Sequence, residues 1–143
     1  RITAFGRPVT RVGLDAAGID LADASADAVV STWTLCSIPD LAGALAQARR
    51  LLRPGGALHL AEHSLSPSAR VARVQRAIQP AWGRAAGGCH IDRDIAGELG
   101  RAGFDTSALV ARHITRALPL RPWTWFVAGA AAPLGVADQR NIK

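Results

Sequence analysis

The stretch from residue 27 to residue 56 constrains the fold of this 143-residue chain more than any other. Residues 28–30 are wholly apolar and read as a buried strand, and Asp40 then stands as the N-cap of a helix. That helix ends before Pro54 and two glycines, and residues 57–61 form the next apolar run. A strand, a crossover helix and a second parallel strand place a ligand at the carboxyl ends of the strands.

Further strands are predicted on both sides of this unit, at residues 9–14, 109–115 and 125–130. The all-apolar strand at 28–30 is typical of a parallel sheet that is covered on both faces. The pattern therefore predicts one α/β domain over residues 1–143. Its sheet is expected to be mostly parallel, with an antiparallel strand pair at the C-terminal end.

Two more helices are predicted after residue 63. The first begins at Ser66 and Pro67 and ends at Pro80, because proline interrupts helical hydrogen bonding. Its inner side is expected to consist of Val71, Val74 and Ile78. Asp92 is predicted to cap the second.

The chain is basic, with 17 lysines and arginines against 11 acidic residues and a net charge of +6. A basic surface can bind nucleic acid or an anionic membrane, but most of these arginines are dispersed. The one dense group is Arg70, Arg73, Arg76 and Arg84. We expect no nucleic-acid partner and interpret the arginine bias as mainly a property of genome composition.

No transmembrane segment is expected, because the apolar run at 123–137 is broken by Gly129, Pro133 and Gly135. Trp123 and Trp125 are compatible with peripheral contact with a membrane surface. The chain starts without methionine and without a charged-then-apolar leader, so we expect no signal peptide and a truncated N-terminus.

Two isolated cysteines, Cys36 and Cys89, indicate neither a disulfide framework nor a metal site, and a reducing cytoplasm is expected. Cys89 and His90 are one Cys-His pair, without the spacing of a closed zinc site. As sequence neighbours at a helix entrance they are also a poor catalytic dyad. They are expected to line a substrate pocket or to fix the approach to the third helix.

Two pairs of residues stand at predicted strand ends. Asp15 can accept a hydrogen bond from an exocyclic amine while the backbone amide of Ala16 donates to a ring nitrogen; alternatively, Asp15 caps a turn. Glu62 and His63 follow the strand at 57–61. His63 is the one weak candidate for a catalytic base, the alternative being a surface histidine paired with its neighbouring carboxylate.

Several strings in this order resemble the class I S-adenosylmethionine-dependent methyltransferases, in particular the type 11 and methyltransferase-like subgroup reported on lipids and thiols. The strings are Leu35-Cys36-Ser37, Arg53-Pro54-Gly55-Gly56, Glu62-His63 and Gly88-Cys89-His90 followed by Arg93-Asp94. The resemblance covers nearly all of residues 9–130, and the combination is more specific than any single string.

The resemblance implies S-adenosylmethionine as cofactor and a small-molecule acceptor, which can be apolar. It implies cofactor-binding positions in the two loops that follow strands, namely Asp15, Ala16, Ser31, Thr32 and Trp33. It also implies substrate-pocket candidates, namely Cys36, His63, Trp82 and His90. Methyl transfer needs little beyond alignment, because the sulfonium methyl is already activated. The oligomeric state stays open.

The glycine-rich G-x-G-x-x-G turn of that family is absent from the sequence. The resemblance implies strands 3 to 7 of a sheet ordered 3-2-1-4-5-7-6, with roughly 60 residues missing before them. We therefore expect a fragment that is inactive alone. The alternative is a non-catalytic methyltransferase-like module that binds through its basic surface. A nicotinamide-dependent oxidoreductase fits less well, because no Tyr-x-x-x-Lys pair is present.

Overall fold

A computed structural model describes residues 6–135 of the chain. It contains helices and strands around one sheet, in the order β1 Ala26–Thr32, α1 Leu41–Leu51, β2 Leu52–His63, α2 Ala69–Ala85, α3 Ile95–Arg101, β3 Phe104–Asp105, β4 Val110–His113, a 3-10 helix Leu118–Trp123 and β5 Trp125–Pro133. None of the described helices has the length and apolar character that a bilayer crossing requires.

The sheet has the order β1-β2-β5-β3, and β4 also pairs with β5. β1 and β2 are parallel, with Thr32 opposite Ala61. β5 is antiparallel to β2, with Phe126 opposite His63, and antiparallel to β3 and β4 on its other side. The α/β prediction is therefore confirmed: a parallel β1-α1-β2 unit is followed by antiparallel strands.

The predicted strand at residues 9–14 is wrong, because this segment has no regular secondary structure and Leu14 is 98% exposed. A strand needs a neighbour for its backbone hydrogen bonds, and no described strand pairs with this segment. β1 likewise pairs only with β2 in the described part of the chain. Val30 on β1 is 71% exposed, so the expectation that this strand is covered on both faces is also wrong.

The main core lies between the sheet and helices α1 and α3. Its buried side chains are apolar and come from both helices, from strands β2, β3 and β5 and from the loop after β1: Leu35, Leu41, Leu45, Ala48, Leu52, Leu58, Leu60, Ile95, Leu99, Phe104, Val127 and Ala131. The predicted cap of α1 is confirmed, because the Asp40 carboxylate accepts a hydrogen bond of 2.9 Å from the Gly43 amide.

The cap of α3 is Asp94, not the predicted Asp92. The Asp94 carboxylate accepts a 3.1 Å hydrogen bond from the Gly97 amide, which is the contact that defines a helix N-cap. The acidic residue that reaches the first free amides of a helix sets where that helix begins, and α3 therefore begins two residues later than a cap at Asp92 would place it.

The second helix differs from prediction in its bounds and in its buried side. α2 begins at Ala69 and continues through Pro80 to Ala85, because a single proline removes only one backbone donor. Its buried residues are Ala72, Gln75 and Gln79, whereas Val74, on the predicted inner side, is exposed. The glutamines are buried because their amides bond to backbone groups of neighbouring loops.

Leu45→Ala is expected to lower the free energy of unfolding by about 2–5 kcal/mol, because it empties a fully buried position on α1. Leu14→Ala is the matched control, and it should change stability by less than about 0.5 kcal/mol because Leu14 is exposed. Urea unfolding followed by circular dichroism measures both. Equal losses for the two variants would contradict the placement of the core.

Candidate functional site

The candidate site lies at the carboxyl ends of β1 and β2, which are adjacent because these strands are parallel. Ser31 and Thr32 close β1, and Trp33 begins the following loop with a left-handed φ of 55°. The Trp33 amide donates a 3.0 Å hydrogen bond to the carbonyl of Ala61 on β2. This turn brings residues 33–36 over the end of β2.

Glu62 holds this loop in place from inside the protein. Its side chain is 0% exposed, and its carboxylate accepts hydrogen bonds from Ser31 Oγ at 2.7 Å and from the Thr34 amide at 2.9 and 3.0 Å. The Cys36 amide donates a further bond of 3.3 Å. A buried carboxylate must find such donors to remain stable, so the strand end and the loop depend on one another.

His63 is buried beside this loop, so the interpretation as a surface histidine paired with its neighbouring carboxylate is wrong. Its ring centroid lies 4.7 Å from that of Trp33 and 4.3 Å from that of Phe126. Its Nδ1 is 3.5 Å from the Sγ of Cys89. The neighbouring carboxylate, Glu62, bonds to the loop.

A second loop, residues 87–93, packs against the first. The His90 amide donates a 2.8 Å hydrogen bond to the carbonyl of Cys36. The Arg93 guanidinium donates to the carbonyls of Leu35 and Ile38, at 2.8 and 2.9 Å. These bonds hold the two loops together and bring side chains from both into contact.

The two free cysteines meet at this contact, with their Sγ atoms 3.5 Å apart. The hydrogen bond between them lowers the pKa of Cys89 to about 7, against the opposing effect of burial. The same hydrogen bond, together with burial, raises the pKa of Cys36. The two thiols therefore differ in acidity, and Cys89 loses its proton before Cys36 as the pH rises.

The remaining predicted site residues differ in their exposure and surroundings. Trp33 is 59% exposed and presents its ring at the edge of the site. Trp82 is partly buried in a small cluster that also contains both cysteines. His90 has an exposed side chain 3.4 Å from the Asp92 carboxylate, outside that cluster.

Asp15 is exposed and caps its own turn, because its carboxylate accepts a 2.9 Å hydrogen bond from the Ala17 amide. The Cβ of Ala17 lies 3.0 Å from where a Cβ on Gly43 would stand, so this turn packs against the first turn of α1. The turn is therefore close to the carboxyl end of β1. Adenine binding by Asp15 and Ala16 stays a prediction.

A groove of about 700 Å³ lies elsewhere, between α1 and α3. It is lined by residues of these helices and by one residue of β5: Ala42, Leu45, Ala46, Arg49, Arg50, Glu98, Arg101, Ala102 and Pro133. It contains none of the predicted cofactor or substrate residues, and it lies on the main-core side of the sheet.

Comparison with known proteins finds one family that part of the chain resembles. A family model described as "Methyltransferase domain" matches residues 3–60. Thiol S-methyltransferase TMT1B of Rattus norvegicus is 38% identical over 85 residues, which are 59% of this chain and 35% of that protein. The chain is therefore similar to part of a class I methyltransferase domain.

Other relatives agree with this assignment. Thiol S-methyltransferase TMT1A of Homo sapiens is 37% identical over 95 residues, which are 66% of this chain and 38% of that protein. A crystal structure of a SAM-dependent methyltransferase from Methanosarcina mazei shares the fold, with a TM-score of 0.58 and 19% identity over 85% of this chain and 66% of that one. The chain spans little more than a third of the length of these curated relatives.

Sequence reasoning missed one compact group of side chains among the described residues. Cys36, His63 and Cys89 come together although Cys89 is 53 residues from Cys36 and 26 from His63. The prediction from sequence considered Cys89 together with His90, because they are neighbours in the chain. No spacing rule reveals the group, since its members come from three separate segments.

Glu62→Gln is expected to lower the free energy of unfolding by about 1–3 kcal/mol, because an amide nitrogen then faces donors that need an acceptor. The backbone amides of Thr34 and Cys36 should also exchange with deuterium faster. Hydrogen exchange followed by mass spectrometry and urea unfolding provide the two measurements.

Glu98→Gln is the matched control, because Glu98 makes only a surface ion pair with Arg101. It should leave exchange in residues 33–36 unchanged. If the two variants were equally stable and exchanged equally, Glu62 would not be the residue that holds the loop.

Proposed function

We propose that this methyltransferase domain binds S-adenosylmethionine at the carboxyl ends of β1 and β2 and serves methyl transfer to a small-molecule thiol. The observation that carries the proposal is the loop at residues 33–36, fixed by the buried Glu62 and flanked by the exposed ring of Trp33. The similarity to proteins named thiol S-methyltransferases supports the acceptor class.

The residues present fit the adenine half of the cofactor. The exposed carboxylate of Asp15 can accept a hydrogen bond from the adenine amine, and the Ala16 amide can donate to a ring nitrogen. Ser31, Thr32 and Trp33 supply backbone groups for the methionine half. The sequence contains no G-x-G-x-x-G turn, so this polypeptide offers only part of the usual set of contacts.

S-adenosylmethionine, when bound, supplies a methyl group already activated by the sulfonium sulfur. The chain then has to orient the acceptor and exclude water, because alignment supplies most of the rate when the methyl group is already activated. Trp33, His63 and Phe126 form an aromatic group suited to this task. A thiol acceptor would lose its proton to solvent before its sulfur could take the methyl group that the cofactor would supply.

A thiol suits this chemistry better than an alcohol, because a thiol ionises near neutral pH. We propose an apolar thiol, since the rings beside the loop are apolar on their faces. The role of His63 as a catalytic base stays a prediction.

The free cysteines support a reducing compartment such as the cytoplasm as the proposed location. Nothing favours the non-catalytic binding module.

Calorimetric titration of S-adenosylhomocysteine into the chain tests the cofactor half of the proposal. We expect binding that Asp15→Ala weakens about tenfold, because a charged hydrogen bond to the adenine amine is lost. Asp20→Ala, an exposed carboxylate in the same segment, is the control and should bind as the original chain does. A folded chain that binds no S-adenosylhomocysteine would contradict the proposal.

The acceptor class is tested by binding, since we expect little turnover without the glycine-rich turn. A small aromatic thiol is titrated into the chain saturated with S-adenosylhomocysteine, and then the phenol of the same skeleton. The thiol should bind more tightly, and Trp33→Ala should weaken its binding. Equal affinity for thiol and phenol would count against a thiol acceptor.

A further inference from the structure

Three side chains with good metal-ligand atoms meet inside the protein, beneath the loop at residues 33–36. Cys36, His63 and Cys89 are all buried, and their ligand atoms lie within 4.8 Å of one another. No fourth cysteine, histidine or carboxylate among residues 6–135 joins this group. We propose that these three residues bind one divalent ion of the zinc class, with a fourth position left to water or another ligand. This proposal does not rest on the proposed function.

Two of the three distances in the group are close to those that one shared ion imposes, and the third, between Cys36 Sγ and the His63 ring, is within 4.8 Å. Tetrahedral zinc with Zn–S of about 2.3 Å and Zn–N of about 2.0 Å sets two sulfur ligands about 3.8 Å apart and sulfur and nitrogen about 3.5 Å apart. In the protein, Cys89 Sγ is 3.5 Å from Cys36 Sγ and 3.5 Å from His63 Nδ1. Small side-chain adjustments are sufficient to admit the ion.

The charge of such a site suits its surroundings. Two thiolates and a neutral imidazole around a divalent ion carry no net charge, and a neutral centre is what a buried, largely apolar position tolerates. The apolar wall is formed by Ile91, which is fully buried, with Ile78, Trp82, Ala86 and Trp123 packed around it. Two thiolates plus imidazole also form a soft ligand set that favours zinc over magnesium or calcium.

The ligands are held by neighbouring groups, as outer contacts of metal sites usually are. The Cys36 amide bonds to the Glu62 carboxylate, and the Cys89 carbonyl accepts a 3.0 Å hydrogen bond from Gln79 Nε2. The indole N–H of Trp82 is buried and makes no well-aligned hydrogen bond within the described residues. Trp82 packs against the small cluster that contains both cysteines.

The proposal excludes one alternative role for His63. If Nδ1 is a metal ligand, its lone pair is occupied and cannot take a proton from an acceptor. The same imidazole therefore cannot serve as metal ligand and as base through that nitrogen. The two readings of His63 are distinguishable by experiment.

The test begins with the chain reduced by a phosphine under argon and freed of metal with a chelator. Cobalt(II) is titrated in, and absorption spectra are recorded. We expect one ion per chain, thiolate-to-cobalt charge-transfer bands and visible bands of tetrahedral intensity, all removed when zinc is added. X-ray absorption of the zinc form should show two sulfur neighbours at about 2.3 Å and imidazole nitrogen at about 2.0 Å.

Variants assign the ligands. Cys36→Ser, Cys89→Ser and His63→Gln should each weaken cobalt binding more than about 100-fold, because even outer contacts of metal sites are worth 10- to 100-fold. His59→Gln, an exposed histidine on the same strand as His63, is the matched control and should keep the spectrum. Circular dichroism shows whether each variant folds. If a variant does not fold, X-ray absorption of the unaltered chain decides the identity of the ligands.

Three results would overturn the proposal. The reduced chain could bind no cobalt or zinc. It could bind cobalt with an octahedral spectrum free of thiolate bands, or with a spectrum unchanged in the Cys36, Cys89 and His63 variants. Lastly, air oxidation could link Cys36 to Cys89 in a disulfide while the reduced chain binds no metal, which would make the pair a redox couple.

Discussion

The buried carboxylate of Glu62 is the interaction on which the candidate site depends. It lies in the sheet without access to water, so it is stable only while the donors around it are in place. Those donors are the Ser31 hydroxyl at the end of β1 and two amides of the following loop. The positions of Trp33 and Cys36 are therefore consequences of one charge that must be satisfied, and the parallel pairing of β1 with β2 supplies the geometry.

The second loop is held by polar side chains in the same manner. Gln75 of α2 bonds to the carbonyls of Ser64 and Pro122, and Gln79 bonds to the backbone of Cys89 and Ile91. A helix with a buried amide face fixes several loops at once, which an apolar face cannot do because it offers no direction to its contacts. The arginines of α2 remain exposed on its outer side.

The sequence pattern predicted those elements whose stabilising contacts lie close together in the chain. The β1-α1-β2 unit and the Asp40 cap were predictable because apolar spacing and turn residues lie within one stretch of chain. The strand expected at residues 9–14 was not, because strand formation requires a partner. The buried side of α2 was misread because hydropathy assigns glutamine to the surface. The place of the candidate site followed from the strand ends, but the contact of Cys36 with Cys89 is non-local and left no pattern in the sequence.

β5 is the last described strand in the chain and yet lies between β2 and the pair β3 and β4. During synthesis, β2 therefore leaves the ribosome with one edge unpaired and keeps it so until residues 125–133 have followed. Because Phe126 of β5 packs on His63, the aromatic side of the site is completed only at that late point. Contacts so distant in sequence close slowly, so this edge of β2 can pair with other unfolded chains until β5 has formed.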